Sequence, residues 1–262
     1  MELLQQIQKK ELGALMELRR ISERHSIRYF LAQGTLIGAA REGGFIPWDD
    51  DIDVLVPDGD LRRLMTVFSK EADPAYRLTD YRVERHYPLS WSKIRIAGTK
   101  SCPTRYQAIP IDWGICIDLF PIYGVSNWKL IREGEVLFFK FARKLLLCEM
   151  TQYDGHRSLL TRVLEKVPIS IRRFVMDVST SLFALHGEDT RWVYITCRGG
   201  RLFRRDIIFG QPKTLCFEGL EYSVPSDYDQ FLRLQFGDYM TPPPVEERGG
   251  HDLRMGDIQW IV

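Results

Sequence analysis

The sequence predicts an α+β fold in which helices flank a mixed β-sheet and a largely helical segment interrupts it. Apolar residues recur at helical spacing near the start, strand-like runs recur through the first half, and residues 128–186 are helical in character. The chain has 262 residues, 45% of them apolar and 12% aromatic, enough for one large domain or one with an insertion. We predict a core over residues 1–127, a helical insertion over 128–190, and a hairpin, helix and tail over 191–262 that complete the core.

The first elements alternate between helix and strand. Residues 2–25 carry apolar positions at helical spacing, with Glu11 as an interruption. Residues 27–31 predict a strand, and residues 36–42 predict a short helix. The glycines at 43–44 end that helix, because glycine tolerates a positive φ.

The middle of the core is predicted to continue with a helix and three strands. Asp58 could cap a helix that runs to about Ala72. The strand-like runs that follow are residues 76–81, 89–96 and 115–120, the last of which ends at Pro121.

The last third predicts a hairpin and a helix. Residues 213–225 alternate apolar and polar positions around residues 218–219, which is typical of a β-hairpin. Ser226, with Asp229 three residues later, is similar to a capping box and would open a helix that runs to Phe236.

The strongest chemical signal is the acidic run at residues 45–57, FIPWDDDIDVLVP. Side chains two apart on a strand share a face, so Asp51 and Asp53 are expected to meet at the strand entrance, and Asp49 is a candidate for the same side. Carboxylates that close resist ionising together, and a hard cation, Mg²⁺ or Mn²⁺, resolves that conflict and usually brings phosphate. The alternatives are a solvated strand end or a helix cap, while the spacing does not fit an EF-hand loop.

A further aspartate, Asp118, stands between apolar neighbours in residues 117–121, IDLFP. An aspartate inside an apolar strand is costly unless a charged group faces it. It could pair with a buried arginine or lysine. We favour a third carboxylate at the same metal site, either as a ligand or as a base for an incoming hydroxyl.

Gly34 and Thr35 precede the acidic run by about one helix. A glycine lets the backbone approach a ligand closely, and amides at a helix N-terminus bind phosphate well. The alternative is a Gly-Thr turn with no binding role.

Several basic residues are candidates for holding a phosphate-bearing substrate. Lys93 and Arg95 alternate with isoleucines, so both project from one face of their strand, unless this is an edge strand kept soluble by charge. Arg41 lies on the helix that leads to the acidic run. Arg248 and His251, in the proline-rich tail, could close over the site or belong to a surface loop.

Composition excludes several classes of function. The net charge of +1 provides no overall field for nucleic acid, and five cysteines without a Cys-x-x-Cys pair disfavour a disulfide framework or zinc site. The start lacks the apolar run of a signal peptide, and no stretch resembles a spanning helix, so we expect a soluble, cytoplasmic protein. The aromatic and basic block at residues 135–147 could touch a membrane surface or form a buried core helix.

Three blocks of the sequence resemble the LicD family, which includes bacterial phosphocholine transferases and is related to the animal fukutins. The resemblance spans about residues 27–252, and its first block is long and specific. The blocks are residues 34–41 (GTLIGAAR) with 44–53 (GFIPWDDDID), residues 117–121 (IDLFP), and the C-terminal residues 228–240, 242–243 and 248–251.

The resemblance implies a nucleotidyltransferase-like fold with residues 1–127 as its catalytic core. It carries the metal role to Asp51 and Asp53, and to Asp118. It also implies transfer of a substituted phosphate from a CDP-linked small-molecule donor, such as CDP-choline or CDP-ribitol, to a glycan or lipid-linked glycan acceptor. The run at residues 40–43 departs from the family pattern, which leaves the donor's substituent open.

Three rival functions remain. The same fold could transfer the nucleotide itself, as an NTP-dependent nucleotidyltransferase acting on a small sugar or alcohol. A glycosyltransferase with an Asp-x-Asp would normally need a dinucleotide-binding βαβ pattern ahead of the motif, and none is found. A catalytically silent nucleotide-binding module would not need Asp51, Asp53 and Asp118 together.

Overall fold

A computed structural model describes residues 3–103, 106–151, 159–187, 189–248 and 258–261. Its α-helices are α1 (Leu3–His25), α2 (Gln33–Arg41), α3 (Asp58–Glu71), α4 (Lys129–Thr151), α5 (Leu159–Leu164), α6 (Ile169–Ala184), α7 (Arg205–Ile208) and α8 (Tyr228–Phe236). Its strands are β1 (Phe30–Leu31), β2 (Asp53–Pro57), β3 (Tyr76–Thr79), β4 (Ser92–Ile96), β5 (Lys100–Pro103), β6 (Cys116–Val125), β7 (Trp192–Ile195), β8 (Arg201–Arg204), β9 (Lys213–Phe217), β10 (Leu220–Val224) and β11 (Ile258–Ile261).

The main sheet has seven strands, and the long strand β6 organises it. The order is β1-β2-β6-β4-β3, while β7 pairs with β6 and β8 with β7. Strands β2 and β6 run parallel, and the other neighbours run antiparallel. The predicted α+β class with a mixed sheet is therefore confirmed. Strand β4 lies between β6 and β3, so its charged residues do not serve to protect a sheet edge.

Strand β6 continues through Pro121, where the sequence predicted its end. Its pairing with β4 stops at Leu119 and its pairing with β7 starts at Ile122, so Pro121 lies where the antiparallel partner changes. Asp118 donates its N–H to the Ile52 carbonyl on the β2 side, and N–H groups alternate along a strand. The missing N–H of Pro121 therefore points into the gap between β4 and β7, where it interrupts no ladder.

Two helix starts differ from the predicted ones. Helix α2 begins at Gln33, which has a φ of 47°, so the chain turns one residue before Gly34. Helix α8 is capped by Asp227, whose carboxylate accepts the Gln230 N–H at 3.1 Å, so the predicted cap at Ser226 is wrong by one residue.

Asp58 does not cap helix α3. It is the first residue of that helix, and its carboxylate accepts from Arg62 at 2.9 Å, one turn further on. The predicted strand over residues 27–31 is reduced to Phe30–Leu31, paired with β2.

The predicted hairpin is present as β9 and β10, with Glu218 and Gly219 at positive φ in its turn. The Glu218 carboxylate accepts the Phe45 N–H at 3.0 Å, and the Glu218 N–H donates to the Gly43 carbonyl. The hairpin therefore holds the loop that leads into the acidic run.

The segment predicted to be helical contains α4, α5 and α6. Buried side chains of α4 and α6, including Phe139 and Phe183, pack against Tyr123 and Tyr194 of strands β6 and β7. A larger core on the sheet draws residues from both ends of the chain, such as Leu15 and Phe231. All five cysteines are free thiols. Among the helices that the structure describes, none is long and apolar enough to cross a bilayer.

Candidate metal and phosphate site

The centre of the site is a row of three charged residues across three strands. Asp53 of β2 is the register partner of Asp118 on β6, and Asp118 is the register partner of Lys93 on β4. Register partners project to the same face of a sheet. The two carboxylates and the ammonium are therefore neighbours on one face.

Both oxygens of Asp118 accept hydrogen bonds from β4 and the segment before it. The Trp91 indole N–H donates to Oδ2 at 3.0 Å, and the Lys93 ammonium donates to Oδ1. A carboxylate offers about four acceptor positions, so these two bonds fix Asp118 without filling its capacity. The predicted alternative, a pairing of Asp118 with a buried lysine, is therefore present, and the other carboxylates are adjacent to this pair.

Asp51 reaches the site from a loop. Strand β2 begins at Asp53, so the predicted alternation between Asp51 and Asp53 on one strand is wrong. The Asp53 N–H donates to the Thr35 hydroxyl at 2.9 Å, which fixes where the strand begins. Carboxylate oxygens of Asp49, Asp50 and Asp51 lie within 4.8 Å of one another, a group that does not include Asp53.

The pKa values of Asp53 and Glu11 are raised by burial and by the neighbouring carboxylates. Burial raises the pKa of Asp53 well above its usual value, and Asp51, Asp118 and Asp49 raise it further, while Lys93 opposes them. Burial followed by Asp51 raises the pKa of Glu11 in the same way. For Lys93, burial disfavours the charged ammonium, but Asp118, Cys116 and Tyr87 together outweigh burial and raise the pKa.

Two cavities meet at the acidic centre. The first, which we call the aromatic cavity, has a volume of about 580 Å³ and is lined by Trp91, Tyr106 and Trp113. The second, the proline cavity, has a volume of about 1060 Å³ and is lined by residues 242–244 and Trp48. The residues that line both are Asp51, Asp53, Phe120, Cys197 and Arg198.

The consecutive aspartates are divided between these cavities. Asp49 lines the proline cavity, Asp50 the aromatic cavity, and Asp51 both. A group held by Asp51 and Asp53 would therefore be reached from two sides.

The predicted phosphate-binding residues are also divided. Gly34 and Arg41 line the proline cavity, and Lys93 lines the aromatic cavity. A Cβ on Gly34 would lie 2.3 Å from the Asp49 carboxylate, so only glycine permits this approach. Arg41 is partly engaged, since it pairs with Glu42 and donates to the Tyr239 carbonyl at 3.0 Å.

Thr35 and Arg248 line neither cavity. Thr35 is 3% exposed and its hydroxyl lies beneath Asp53. Arg248 donates to the Pro243 carbonyl, and its guanidinium lies 4.8 Å from the Trp48 ring centre, at the rim of the proline cavity. His251 lies outside the described residues.

Sequence reasoning missed Glu11, Arg143 and Arg198 as residues of the site. Glu11 is 2% exposed on helix α1 and lines the aromatic cavity, and its only sequence signal was the break that it makes in an apolar face. Arg143 reaches the same cavity from α4. Arg198 lines both cavities with a φ of 47°, and the following glycines at 199–200 were its only signal.

The residues present fit a divalent cation. Asp51, Asp53 and Asp118 offer only oxygen ligands, which Mg²⁺ and Mn²⁺ prefer, and burial together with the neighbouring carboxylates raises the pKa of Asp53. Asp49 and Asp50 stand close enough to contribute.

Comparison with known proteins finds a family that is similar to this part of the chain. The family model described as LicD/FKTN/FKRP, nucleotidyltransferase domain, matches residues 26–137, which include Gly34, the acidic run and Asp118. The chain is also 27% identical over 256 residues to the lipopolysaccharide cholinephosphotransferase LicD of Haemophilus influenzae, covering 93% of each chain. The matched domain and the nearly full-length relative make this chain similar to the LicD family, and its mixed α+β fold agrees with a nucleotidyltransferase-like domain.

Proposed function

We propose that this protein transfers a phosphocholine-like group from a CDP-activated donor to a sugar hydroxyl of a cell-surface glycan or its precursor. The observation that carries the proposal is the register row of Asp53, Asp118 and Lys93 beside Asp51, where two cavities meet. The similar protein is named as a lipopolysaccharide cholinephosphotransferase, which supports the reaction class and a glycan acceptor.

Transfer requires the acceptor hydroxyl and the leaving CMP oxygen to lie on opposite sides of the substituted phosphorus atom. The hydroxyl oxygen forms a bond to the substituted phosphorus, the bond to the CMP oxygen breaks, CMP leaves with that electron pair, and the hydroxyl proton is lost. The junction of two cavities at Asp51 and Asp53 suits this arrangement, because each reactant has its own approach.

The chain's residues have separate roles in this proposal. Asp51, Asp53 and Asp118 would hold Mg²⁺ or Mn²⁺, which supplies positive charge for the diphosphate as negative charge builds up on the leaving group. Lys93 and Trp91 fix the Asp118 carboxylate in position. Gly34 leaves room for Asp49 at the start of α2. Asp118 could instead accept the hydroxyl proton.

Incubation with CDP-choline and a glycan acceptor tests the reaction. We expect release of CMP and a phosphocholine-labelled glycan with Mg²⁺ or Mn²⁺, and neither product in EDTA. A parallel incubation with CTP or ATP and a sugar tests the rival transfer of the nucleotide itself. Labelled nucleotide on the sugar, or calorimetric binding of CDP-choline without consumption, would overturn the proposal.

We further propose a cytoplasmic location and contact with an anionic lipid surface that carries the acceptor. Two observations on the helical segment support the contact. Among the described residues of this segment, exposed basic residues outnumber exposed acidic ones, with Lys129, Lys140, Lys144, Arg162 and Lys166 against Glu133, Asp177 and Asp189. Among the described residues, nine of the 15 exposed large apolar side chains are also there: Trp128, Leu130, Ile131, Leu137, Phe141, Val163, Ile171, Phe174 and Leu185.

Vesicle sedimentation tests this surface. Leu130, Leu137 and Phe141 lie on one side of α4 by helical spacing, so L137E with F141E should abolish binding to phosphatidylglycerol vesicles. Val83→Glu, at an exposed apolar residue outside this segment, is the control and should bind normally. Equal binding by all three proteins, or none by the parent, would contradict the lipid contact.

A further inference from the structure

We propose that Arg95 and Arg143 form an anion-binding wall of the aromatic cavity that holds the phosphate of a nucleoside 5′-phosphate, the CMP half of the donor. The identity of that nucleotide depends on the proposed function. The assignment of the anion site to these two arginines depends only on their contacts, burial and charge.

Arg95 is a buried cation that interacts electrostatically with the Glu84 carboxylate but makes no direct ion pair with a described residue. It is 2% exposed on β4, projects to the same face as Lys93, and lines the aromatic cavity. It makes no hydrogen bond or ion pair with any residue that the structure describes, and its Nε is buried without a partner. The centre of the Tyr87 ring lies 5.7 Å from the guanidinium carbon of Arg95. Burial of an unpaired guanidinium is strongly unfavourable, which points to an anion that completes the site.

Arg143 reaches the same cavity from the helical segment. Among the described residues, the Arg143 guanidinium donates one hydrogen bond, to the Thr196 carbonyl at 3.3 Å, and forms no ion pair. Its Nε is also buried without a partner. The guanidinium lies 5.6 Å from the ring centre of Trp91, whose indole N–H binds Asp118. A series of direct contacts therefore links Arg143 to the acidic centre.

Lys93 cannot take the place of these arginines, because Asp118 already neutralises it. Two planar guanidinium groups, each with several N–H donors, match the oxygens of a phosphate. The anion that they hold would lie beside Asp53 and Asp118, where a donor diphosphate must be bound.

The aromatic lining indicates a flat ring attached to that anion. Trp113 stacks on Tyr106 with ring centres 6.2 Å apart, and Trp91 lies 5.3 Å from Phe120. A planar base can stack on such rings. The cavity of about 580 Å³ is large enough for a nucleoside phosphate. The proline cavity then receives the acceptor.

Binding of CMP, measured by calorimetry and by quenching of tryptophan fluorescence in the presence of Mg²⁺, tests the inference without turnover. Arg95→Met and Arg143→Met should each weaken CMP binding by about tenfold or more, because each removes charged hydrogen bonds. Inorganic pyrophosphate, which lacks the base, should bind weakly and lose affinity in both variants.

Two matched controls separate the anion site from general effects. Arg132 lies on the same helix as Arg143, stacks on Trp192 at 5.0 Å and donates to backbone carbonyls, but lines neither cavity. Arg77 is the register partner of Arg95 and is exposed. R132M and R77M should bind CMP like the parent. If R95M does not fold, R95K is the substitute, because it keeps the charge and loses the planar guanidinium. R95K should bind CMP more weakly than the parent protein does.

The outcomes distinguish this inference from the proposed function. Normal CMP affinity in folded R95M and R143M, or no CMP binding by the parent, overturns the anion site. Arginine-dependent CMP binding by a parent protein that fails to consume CDP-choline supports the anion site while the proposed transfer fails. Parent-like consumption of CDP-choline by R95M and R143M at low donor concentration overturns the anion site and leaves the transfer intact.

Discussion

Asp53 and Asp118 are register partners on adjacent parallel strands, so their carboxylates are side by side on one face of the sheet. Like charges in this relationship destabilise a sheet, and burial makes the repulsion stronger. Only Lys93 is in register to offset them. A fold that keeps such a pair gives up stability for a centre that can attract a cation.

The first prediction concerns Asp53→Asn. Because burial and the neighbouring carboxylates raise the pKa of Asp53, removal of its charge should raise the Tm of the protein in EDTA. The same change removes a proposed cation ligand, so turnover of CDP-choline should fall by at least about 100-fold. Asp60→Asn is the control, since Asp60 is equally buried but paired with Arg28 and Arg63, and its loss should lower the Tm. A lower Tm for D53N would contradict the electrostatic account.

The second prediction concerns pH. The pKa of Asp53 is raised above its usual value of 3.8, so the penalty from this group is absent below that pH and grows as pH rises through the folded-state pKa. A bound cation removes the penalty. The rise in Tm caused by saturating Mg²⁺ should therefore be larger at pH 8 than at pH 5 in chelator-treated buffers. An equal rise at both pH values would show that Mg²⁺ stabilises the protein elsewhere.

The third prediction concerns the pair of Lys93 and Asp118. Lys93→Met leaves Asp118 facing Asp53 without a counter-charge, so the free energy of unfolding should fall by about 2–4 kcal/mol. This is less than the full range for a buried pair, because both side chains are 18% exposed. Adding Asp118→Asn should restore part of that loss. Denaturant unfolding of both single variants and the double variant measures the coupling. Additive effects would mean that the two side chains do not interact.

The fourth prediction concerns Gly34. A Cβ at this position would lie 2.3 Å from Oδ2 of Asp49, so Gly34→Ala should displace that carboxylate and lower turnover by about tenfold or more. Gly59→Ala is the matched control, because Gly59 is also near a helix start and a Cβ there meets nothing within 4 Å. It should keep full activity and gain about 0.4–1 kcal/mol of stability. Equal activity in the two variants would remove Gly34 from the site.

The sequence predicted what depends on local pattern and could not predict what depends on packing. An aspartate inside an apolar strand is visible as an anomaly, so Asp53 and Asp118 were found, although the alternation argument failed for Asp51. Arg143 is one of several basic residues in α4, and the sequence does not distinguish it from the others. Only the packing of α4 on β6 and β7 shows that Arg143 reaches the cavity. The path of β6 through Pro121 likewise depends on where its partner strand changes.

The fifth prediction compares two glutamates of helix α1 whose pKa values are shifted in opposite directions by their surroundings. Burial, Asp51 and Asp50 raise the pKa of Glu11, whereas hydrogen bonds from Arg20 lower the pKa of Glu17. Glu11→Gln should therefore raise the Tm in EDTA and increase the Mg²⁺ concentration needed for half-maximal activity, because it removes negative charge near the cation. Glu17→Gln should lower the Tm, and that loss should shrink as pH falls below about 4.5, where the stabilising contribution of Glu17 disappears. Melting curves from pH 4 to 8 measure both, and shifts of the same sign at neutral pH would contradict the assignment of Glu11 to the acidic centre.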